Sequence, residues 1–454
     1  MKLVLQDSII AFLIPSPSLR TMHHPQRRPH SAPSFVRPLM ASLALAFAAA
    51  VAHAAPVADV HALAQKEQQP LLDTLRDLVH IESGSKDIEG LNQIAERIAS
   101  QLKQLGGTVD VLQTSDIYRL DDTPEKVGPA VQAVFKGTGS KKIMLIAHMD
   151  TVYLKGMLKG QPFRIDGDKA YGLGISDDKQ GIALIIHTVA LLQKLNFKDY
   201  GTLTVLINGD EEISSPGWRS TITRVASDQD VVLSFEGGGT DGTLRLATSG
   251  IGAAYITVQG KASHAGAKPE DGVNALYELS HQLLQMKDLS KTDEGLKLNW
   301  TVAKAGTNRN VIPAEATAQA DARALKVADF DGLEKALQDK IKTKLIPASK
   351  VDVKFEVRRP PLEASEASRR VAGYGKVIYQ ELGLPLSVVE KATGGGTDAA
   401  FAALKTKGAV VEGMGLSGYG AHSNDAEYVQ INTIVPRLYL ATRMVMDISK
   451  GVLK

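Results

Sequence analysis

The stretch Leu203–Glu212, LTVLINGDEE, joins an apolar run to three consecutive carboxylates. The run Leu203–Ile207 has the length and composition of a buried strand. Acidic residues are mostly exposed, so a solvated turn is the ordinary interpretation of Asp210, Glu211 and Glu212. A second interpretation, a ligand or catalytic cluster, requires partner residues elsewhere in the chain.

Other apolar runs also end beside polar side chains. His148 follows Ile143–Ala147, and Glu236 follows Val231–Phe235. A long apolar helix is predicted over Gly181–Leu195, so strands alternate with helices. This alternation predicts an α/β fold with a mixed, mostly parallel sheet and helices on both faces. In open α/β sheets, ligands bind beyond the carboxyl ends of the strands, which favours the second interpretation.

The predicted elements divide the chain into four segments. Residues 1–54 are a predicted leader, and residues 55–249 and 362–454 are predicted to be the two parts of one α/β domain. Residues 250–361 carry the order β-α-β-β-α-β, which is that of a ferredoxin-like α+β unit. We interpret this segment as an inserted lid and dimerisation domain. The first helix of the α/β domain is predicted over Gln69–Ile81.

The leader has the pattern of a secretory signal. Basic residues up to Arg37 precede an apolar run over residues 39–51, and residues 52–54 have the small-x-small pattern of a cleavage site. The run is too short to span a membrane. We therefore expect cleavage near Ala54-Ala55 and a secreted or periplasmic protein without a stable membrane anchor. A leader that is retained, disordered or anchored in a membrane is the alternative.

Composition excludes several classes of protein and of site. The 454 residues carry a net charge of +2, and basic and acidic residues are interspersed, unlike the basic stripe of a nucleic-acid binder. The chain has no cysteine, which excludes disulfides, thiolate catalysis and cysteine-zinc sites. Any metal must therefore be held by histidine and carboxylate side chains.

Residues suited to binding a metal recur along the chain. Asp177 and its neighbour Asp178 lie in a glycine-flanked loop before the long apolar helix. A carboxylate there can bridge two cations, each of which would then have one histidine and one further glutamate. Such an arrangement leaves room for a water between the cations and fits two-metal hydrolysis. The candidate ligands are His148, Asp177, Glu212, Glu236 and His422.

Six motifs extend this pattern and resemble one known family. They are HMDTVY, YGLGISDDKQG, NGDEE, LSFEGG, GKASHAG and TGGGTDAA. In order and spacing they resemble the M20 family of co-catalytic zinc metallopeptidases, from about residue 66 to the C-terminus. Within that family the chain is most similar to the secreted bacterial glutamate carboxypeptidases of the carboxypeptidase G type, which remove C-terminal glutamate from folates.

The resemblance implies two zinc ions per subunit, for which cobalt or manganese are substitutes. One zinc would be held by His148, Asp177 and Glu236, and the other by Asp177, Glu212 and His422. Glu211 matches the general base that deprotonates the bridging water and then protonates the leaving amine. Asp150 matches the residue that holds the other ring nitrogen of His148.

The resemblance also assigns residues to the substrate. His264 matches a lid histidine that, in dimeric relatives, reaches the active site of the neighbouring subunit and stabilises the oxyanion. Asn310 and Arg323 match lid residues that contact the substrate carboxylate. Arg359 and the loop Gly394–Thr397, with Gly395, Gly396 and Thr397, are further candidates for that contact.

Three positions differ from the pattern expected for the carboxypeptidase G branch. The loop Gly237–Gly239 replaces bulkier residues, Arg245 stands where a lysine is expected, and Trp218 stands where a small residue is expected. None of these differences removes a ligand. We expect the glycine loop and Trp218 to affect the fit of the substrate.

We therefore expect a zinc-dependent exopeptidase that releases C-terminal glutamate from folates, N-acyl-glutamates or small peptides. The lid domain is expected to form a homodimer, and no nucleic-acid partner is expected. An M20-type aminoacylase or dipeptidase with another side-chain preference is the alternative within the class. A non-catalytic periplasmic binding protein is the alternative outside it, but a ligand site alone does not need Glu211 beside Glu212.

Overall fold

The computed structural model describes residues 55–392, 394–423 and 426–452. The described residues belong to one compact unit. The predicted leader lies outside the described residues, so its cleavage and the export of the protein stay predictions. Among the helices within these ranges, none combines the length and the hydropathy needed to cross a membrane.

The described residues form nine α-helices and sixteen strands, numbered here in chain order. The helices are α1 (Ala58–Val79), α2 (Ile88–Gln104), α3 (Gln180–Lys194), α4 (Arg219–Ala226), α5 (Ala275–Met286), α6 (Val327–Lys340), α7 (Glu366–Glu381), α8 (Ala399–Ala403) and α9 (Ile434–Ser449). The strands are β1 (Thr108–Leu112), β2 (Ala130–Lys136), β3 (Lys142–His148), β4 (Arg164–Asp166), β5 (Lys169–Tyr171), β6 (Thr202–Asn208), β7 (Val231–Ser234), β8 (Leu244–Arg245), β9 (Gly250–Gln259), β10 (Lys297–Ala305), β11 (Glu315–Ala324), β12 (Lys350–Arg359), β13 (Val388–Val389), β14 (Ala409–Val411), β15 (Gly418–Tyr419) and β16 (Tyr428–Gln430).

The central sheet has six strands in the order β1-β2-β6-β3-β7-β14. β3 pairs in parallel with both β6 and β7, and β14 pairs in parallel with β7. β1 and β2 extend the sheet in antiparallel pairings. The expectation of a mixed, mostly parallel sheet is confirmed. β14 comes after the lid in sequence, so the sheet combines strands from two separated stretches of chain.

Both faces of the central sheet are buried under helices because successive side chains of a strand point to opposite faces. In β3, Ile143 and Leu145 belong to a core that includes residues of α1, α2, α3 and α9. Met144 and Ile146 belong to a second core with residues of α4 and α8. Trp218, at the start of α4, is buried in this second core and donates its indole N–H to Gly128 O at 2.8 Å. Its bulk therefore fills the core beneath α4.

α1 begins at Ala58, well before the predicted start at Gln69, so that prediction was wrong. Pro70 favours a helix start near this point because proline suits the first helical turn. In the structure α1 continues through the exposed Pro70, while Val60 and Ala64 are buried in the core. This packing outweighs the hydrogen bond that proline cannot donate.

The lid segment, defined as residues 250–361, contains a four-stranded antiparallel sheet in the order β10-β11-β9-β12. This is the strand order of the ferredoxin-like unit expected from sequence. Alternate residues of β11, such as Ala318 and Ala320, are buried in a core shared with α5 and α6. The domain boundaries drawn from sequence stay predictions, and β9 and β12 lie within them.

A small sheet, in the order β15-β16-β5-β4, brings two distant loops together. The loop between β5 and α3 contains Asp177, and the connection between β15 and β16 contains His422. β16 pairs with β5 in antiparallel register from Tyr428↔Tyr171 to Gln430↔Lys169. The pairing places both loops beside the carboxyl end of the central sheet.

Candidate metal centre

Three adjacent strands deliver most of the polar side chains of the site. His148 is the last residue of β3, Glu211 and Glu212 follow β6, and Glu236 follows β7. β6, β3 and β7 are neighbours in the sheet and run parallel, so their carboxyl ends lie at one edge. The topology therefore brings together residues that are far apart in sequence.

The candidate ligands form two triads that share Asp177. One triad is His148, Asp177 and Glu236, the other is Asp177, Glu212 and His422, and the ligand atoms within each triad lie within 4.8 Å of one another. His148 Nε2 lies 3.0 Å from Asp177 Oδ1 and 3.5 Å from Glu236 Oε1. His422 Nε2 lies 3.3 Å from Asp177 Oδ2 and 3.1 Å from Glu212 Oε2. Asp177 thus turns one oxygen to each histidine.

The pKa values of these side chains reflect crowded negative charge. Burial alone would lower the pKa of His148, but the charge of Glu236 and hydrogen bonds to neighbouring carboxylates raise it well above its usual value. Hydrogen bonds to Asp177 and Glu212 raise the pKa of His422 to about 11. Burial and the charge of Asp177 raise the pKa of Glu212 to about 7. A cation bound among these groups would relieve the repulsion.

A further observation indicates that these donor atoms fit a metal ion. Glu212 Oε1 is buried and has no hydrogen-bond partner in the described part of the chain. A buried carboxylate oxygen without a partner is costly. Oxygen and imidazole donors at this spacing suit divalent transition metals, and the residues present therefore fit a metal ion.

Asp150 contacts the ring nitrogen of His148 as expected, but its backbone oxygen lies nearer to that nitrogen than its carboxylate does. His148 Nδ1 lies 3.1 Å from the backbone oxygen of Asp150 and 3.4 Å from its carboxylate, so the backbone carbonyl is the nearer acceptor for the ring N–H. The carboxylate of Asp150 accepts the backbone N–H of Glu211 at 2.9 Å and of Glu212 at 3.1 Å. It also accepts the hydroxyl of Ser85 at 2.8 Å. Asp150 therefore positions both β3 and the loop after β6.

Glu211 lies outside both triads and contacts an arginine from the lid segment. Arg359, the last residue of β12, forms an ion pair with the Glu211 carboxylate and donates to its backbone oxygen at 2.6 Å. Burial raises the pKa of Glu211 well above its usual value, against the opposing charge of Arg359. Arg359 also lies 3.4 Å from Asp398.

The contacts of Arg359 place its side chain at Glu211 and Asp398, and its expected contact with the substrate carboxylate stays a prediction. Its side chain is 3% exposed, and it is engaged by Glu211 and Asp398. It is also absent from the described residues that line the large cavity at the site. The sequence shows only a charged residue at a strand end, and the burial that directs this side chain to Glu211 depends on the fold.

Asp210, the first carboxylate after β6, shapes the loop that presents the two glutamates. It is fully buried and accepts the backbone N–H of Gly217 at 2.6 Å and the side-chain amide of Asn208 at 3.1 Å. Burial raises the pKa of Asp210 to about 8. The residue therefore stabilises the turn.

Sequence reasoning missed Glu427, which holds the Asp177 loop. Its carboxylate accepts the backbone N–H groups of Gly174 at 3.0 Å, Ser176 at 2.8 Å and Asp177 at 3.1 Å. It also accepts the hydroxyl of Tyr153. One buried carboxylate thus satisfies three loop N–H groups beside the shared ligand. A lone glutamate before a short strand gives no sequence signal for this role.

Tyr153 extends the same support toward the second histidine. Its hydroxyl lies 3.1 Å from the backbone oxygen of Ser423, the residue after His422. Burial and the adjacent charge of Glu427 raise the pKa of Tyr153, so the phenol stays protonated. Tyr153 and Glu427 therefore connect the loops that carry Asp177 and His422.

A cavity of about 600 Å³ opens beside the two triads. The cavity is lined by Arg245, by the first and last glycines of the loop Gly237–Gly239, and by Gly395, Gly396 and Thr397. Arg245 donates to Gly237 O at 2.8 Å, and Thr397 donates to Glu412 at 3.1 Å. At Gly396 a Cβ atom would lie 2.8 Å from Ser249 O, so glycine allows the close approach of two chain segments.

The three lid residues expected to contact the substrate, Arg323, His264 and Asn310, differ in their position relative to this cavity. Arg323 donates to Gly394 O at 3.1 Å, which places it at the glycine loop, and its other nitrogens contact Asp321. His264 and Asn310 lie side by side in the lid, since Ala265 N donates to Asn310 O at 3.0 Å. His264 is exposed, and neither it nor Asn310 is among the described residues lining the cavity.

Comparisons with known proteins agree with the motifs. The model of peptidase family M20/M25/M40 matches residues 144–447, which include the ligand-bearing strands and the lid segment. The chain is 44% identical over 422 residues to carboxypeptidase G2 from Pseudomonas sp. (strain RS-16), a match that covers 92% of this chain and 99% of that protein.

Solved structures share the architecture at low sequence identity. A tripeptidase from Staphylococcus aureus has a TM-score of 0.70 at 20% identity and covers 84% of this chain and 99% of its own. An M20 family metallo-carboxypeptidase from Sulfolobus solfataricus has a TM-score of 0.64 at 16% identity. The match covers 83% of this chain and 98% of that protein. These two likenesses support the fold alone. The family match and the full-length similarity to carboxypeptidase G2 show that the chain is an enzyme of peptidase family M20/M25/M40, as its motifs predicted.

Proposed function

We propose that this M20 enzyme is a zinc-dependent carboxypeptidase that hydrolyses the amide bond to a C-terminal glutamate. Its substrates are folates, N-acyl-glutamates or small peptides. The observation that carries the proposal is the arrangement of Asp177, whose two oxygens face two histidines, each accompanied by a separate glutamate. Imidazole and carboxylate donors suit zinc, and cobalt or manganese can substitute.

The proposed mechanism divides the work between the ligands and Glu211. Two zinc ions held by the triads would supply Lewis acidity toward the scissile carbonyl and the attacking water. Glu211 accepts the proton of that water and delivers it to the leaving nitrogen. Arg359 holds the Glu211 carboxylate and its backbone oxygen, so it positions the base. Asp150 fixes the adjacent N–H groups of Glu211 and Glu212.

The preference for glutamate is supported by two arginines near the cavity, and the carboxypeptidase activity by one relative. Arg245 supplies a guanidinium in the cavity wall, and Arg323 reaches the glycine loop from the lid. Arginine offers a planar fork that suits carboxylates. The name carboxypeptidase G2 describes a carboxypeptidase, and the 44% identity extends over nearly the whole chain. We assign Arg245, Arg323 and the Gly395–Thr397 loop to the leaving glutamate.

The proposal includes a homodimer formed through the lid segment. β10 is an edge strand with mostly exposed residues, and the neighbouring α5 exposes Tyr277 at 63% and Leu284 at 73%. Apolar side chains grouped on one face favour association. His264 is not among the described residues that line the cavity of its own subunit, which supports a role at the neighbouring site.

Release of the amino acid from a panel of N-acyl substrates tests the proposed specificity. N-benzoyl-glutamate should be hydrolysed at least about tenfold faster, as kcat/KM, than N-benzoyl-leucine, because only glutamate can pair its side chain with the guanidinium of Arg245 in the cavity wall. Activity should disappear with a chelator and return with zinc. A preference for leucine would contradict the glutamate assignment.

Glu211→Gln should retain the metals and lose most turnover, because the amide cannot accept the proton. We expect kcat to fall by about 10²-fold or more. Metal content measured on the same preparation separates loss of the base from loss of the site. Near-normal kcat at full metal occupancy would exclude Glu211 as the base.

Glu427→Gln should weaken metal binding. The carboxylate of Glu427 accepts hydrogen bonds from backbone N–H groups of the Asp177 loop, whereas the N–H₂ group of glutamine is itself a donor and cannot accept them. We expect about tenfold lower metal affinity in chelator competition, the usual effect of losing a supporting hydrogen bond. Glu381→Gln is the matched control, since Glu381 also accepts a tyrosine hydroxyl, from Tyr439, but contacts the remote Arg443. Equal metal affinity in the two variants would remove Glu427 from the metal site.

Mixed dimers test the proposed role of His264 across the subunit interface. His264→Ala and Glu211→Gln homodimers should each be nearly inactive. A heterodimer of the two should recover about half of the wild-type activity, because one of its sites combines an intact Glu211 with an intact His264. No recovery in purified heterodimers would place the action of His264 within its own subunit.

A further inference from the structure

Arg437, near the start of α9, is a buried guanidinium with few partners. The residue is 0% exposed. Within the described part of the chain, its Nη1 donates to Gly413 O at 3.3 Å, whereas Nε and Nη2 have no hydrogen-bond partner. Its Cζ atom lies 5.6 Å from the centroid of the Tyr379 ring, which offers a modest cation–π attraction. The functional assignments above leave this charge unused.

The position of this charge is unfavourable for the stability of the fold. A buried charge is costly unless it is paired, and arginine stays protonated in proteins. Arg437 is the fourth residue of α9, close to the positive end of the helix dipole, and the first turn of that helix carries no acidic residue. Burial lowers the pKa of Arg437, and the charge of Arg245 acts in the same direction. Stability alone therefore gives no reason for an arginine here.

The guanidinium of Arg437 packs against the backbone of a glycine-rich loop, residues 237–242. A Cβ atom at Gly238 would lie 2.7 Å from Arg437 Nη2, and one at Gly242 would lie 2.8 Å from the same nitrogen. A side chain at either position would therefore displace the guanidinium. This contact accounts for Gly238 within the stretch Gly237–Gly239, where bulkier residues are expected in the carboxypeptidase G branch.

Arg245 contacts the same loop from the cavity. It donates to Gly237 O at 2.8 Å, and a Cβ atom at Gly239 would lie 3.1 Å from its Nη2. Gly237 and Gly239 line the cavity, whereas Gly238 between them contacts the buried Arg437. The loop is thus a layer of backbone with one guanidinium at the cavity and a second guanidinium beneath the loop.

We infer that Arg437 is a positioning residue for anionic ligands and acts through the glycine-rich loop. Its charge adds to that of Arg245, so a carboxylate bound at this wall is attracted by two guanidiniums. Binding of the carboxylate then offsets the unfavourable burial of Arg437, and the ligand gains the difference as affinity. The inference rests on the proposed function, in which this cavity holds the leaving glutamate.

Replacement of Arg437 by methionine tests this role, because methionine keeps a buried alkyl chain and removes the charge. In zinc-loaded Arg437→Met, the KM for N-benzoyl-glutamate and the inhibition constant of glutarate, a dicarboxylate, should each rise about tenfold. kcat should change by less than about twofold. The melting temperature should stay equal or rise, because an unpaired buried charge has been removed.

Arg443→Met is the matched control on the same helix. Arg443 is also buried, but it pairs with Glu381 at 2.6 Å and with Asp447 at 2.9 Å. Its replacement leaves two carboxylates without their partner, so the melting temperature should fall while KM and the inhibition constant stay within about twofold of wild type. The two arginine variants should therefore show opposite patterns.

Gly238→Ala tests the action through the loop without removing the charge. The added methyl group displaces the guanidinium, so KM and the inhibition constant of glutarate should both rise. In the Arg437→Met background the same substitution should add less than about twofold, because no guanidinium is left to displace. Fully additive effects would show that Arg437 does not act through this loop.

An unchanged KM and inhibition constant in Arg437→Met would overturn the inference, as would a wild type that glutarate does not inhibit. Failure of the proposed function gives a different result, namely a wild type that prefers N-benzoyl-leucine. The inhibition constant of glutarate is then measured against that substrate, and the same rise in Arg437→Met is required.

Discussion

Crowded negative charge at the carboxyl edge of the central sheet is the constraint on which the site depends. Glu212 and Glu236 follow β6 and β7, the parallel strands on either side of β3, and Asp177 reaches the same place from a loop. Buried carboxylates are costly unless they are paired, and here His148 and His422 provide only part of the compensation. A bound cation would supply the remainder. Metal affinity and the local stability of these loops are therefore linked.

The ligands are oriented by other carboxylates that accept backbone N–H groups. Asp150 holds the loop after β6, although 61 residues separate it from Glu211. Glu427 holds the Asp177 loop from 250 residues further along the chain. Hydrogen bonds to a charged acceptor are stronger than those between neutral groups. These hydrogen bonds hold the candidate ligand loops, which lack long regular elements, to distant parts of the chain.

The sequence predicted the parts of the site that follow strong local patterns. His148, Glu212 and Glu236 stand at the ends of apolar runs, and parallel strands bring such ends together whatever the chain distance. Glu427 could not be predicted, because a single glutamate near a short strand is usually exposed. The contact of Arg359 with Glu211 was not predicted, because only the packed lid reveals that its side chain is buried there. The start of α1 was missed because tertiary burial of its first turns outweighs the local preference of proline.

The structure separates the proposed catalytic groups from the groups proposed to select the substrate. The candidate ligands and the proposed base lie at a sheet edge, whereas the cavity beside them is formed mainly by loops, and Arg323 of the lid donates to the Gly394–Thr397 loop. Loops can change while the sheet edge stays the same. The solved tripeptidase and metallo-carboxypeptidase share this architecture at 16–20% identity, so the fold persists through large changes in sequence, and a fold alone does not determine selectivity.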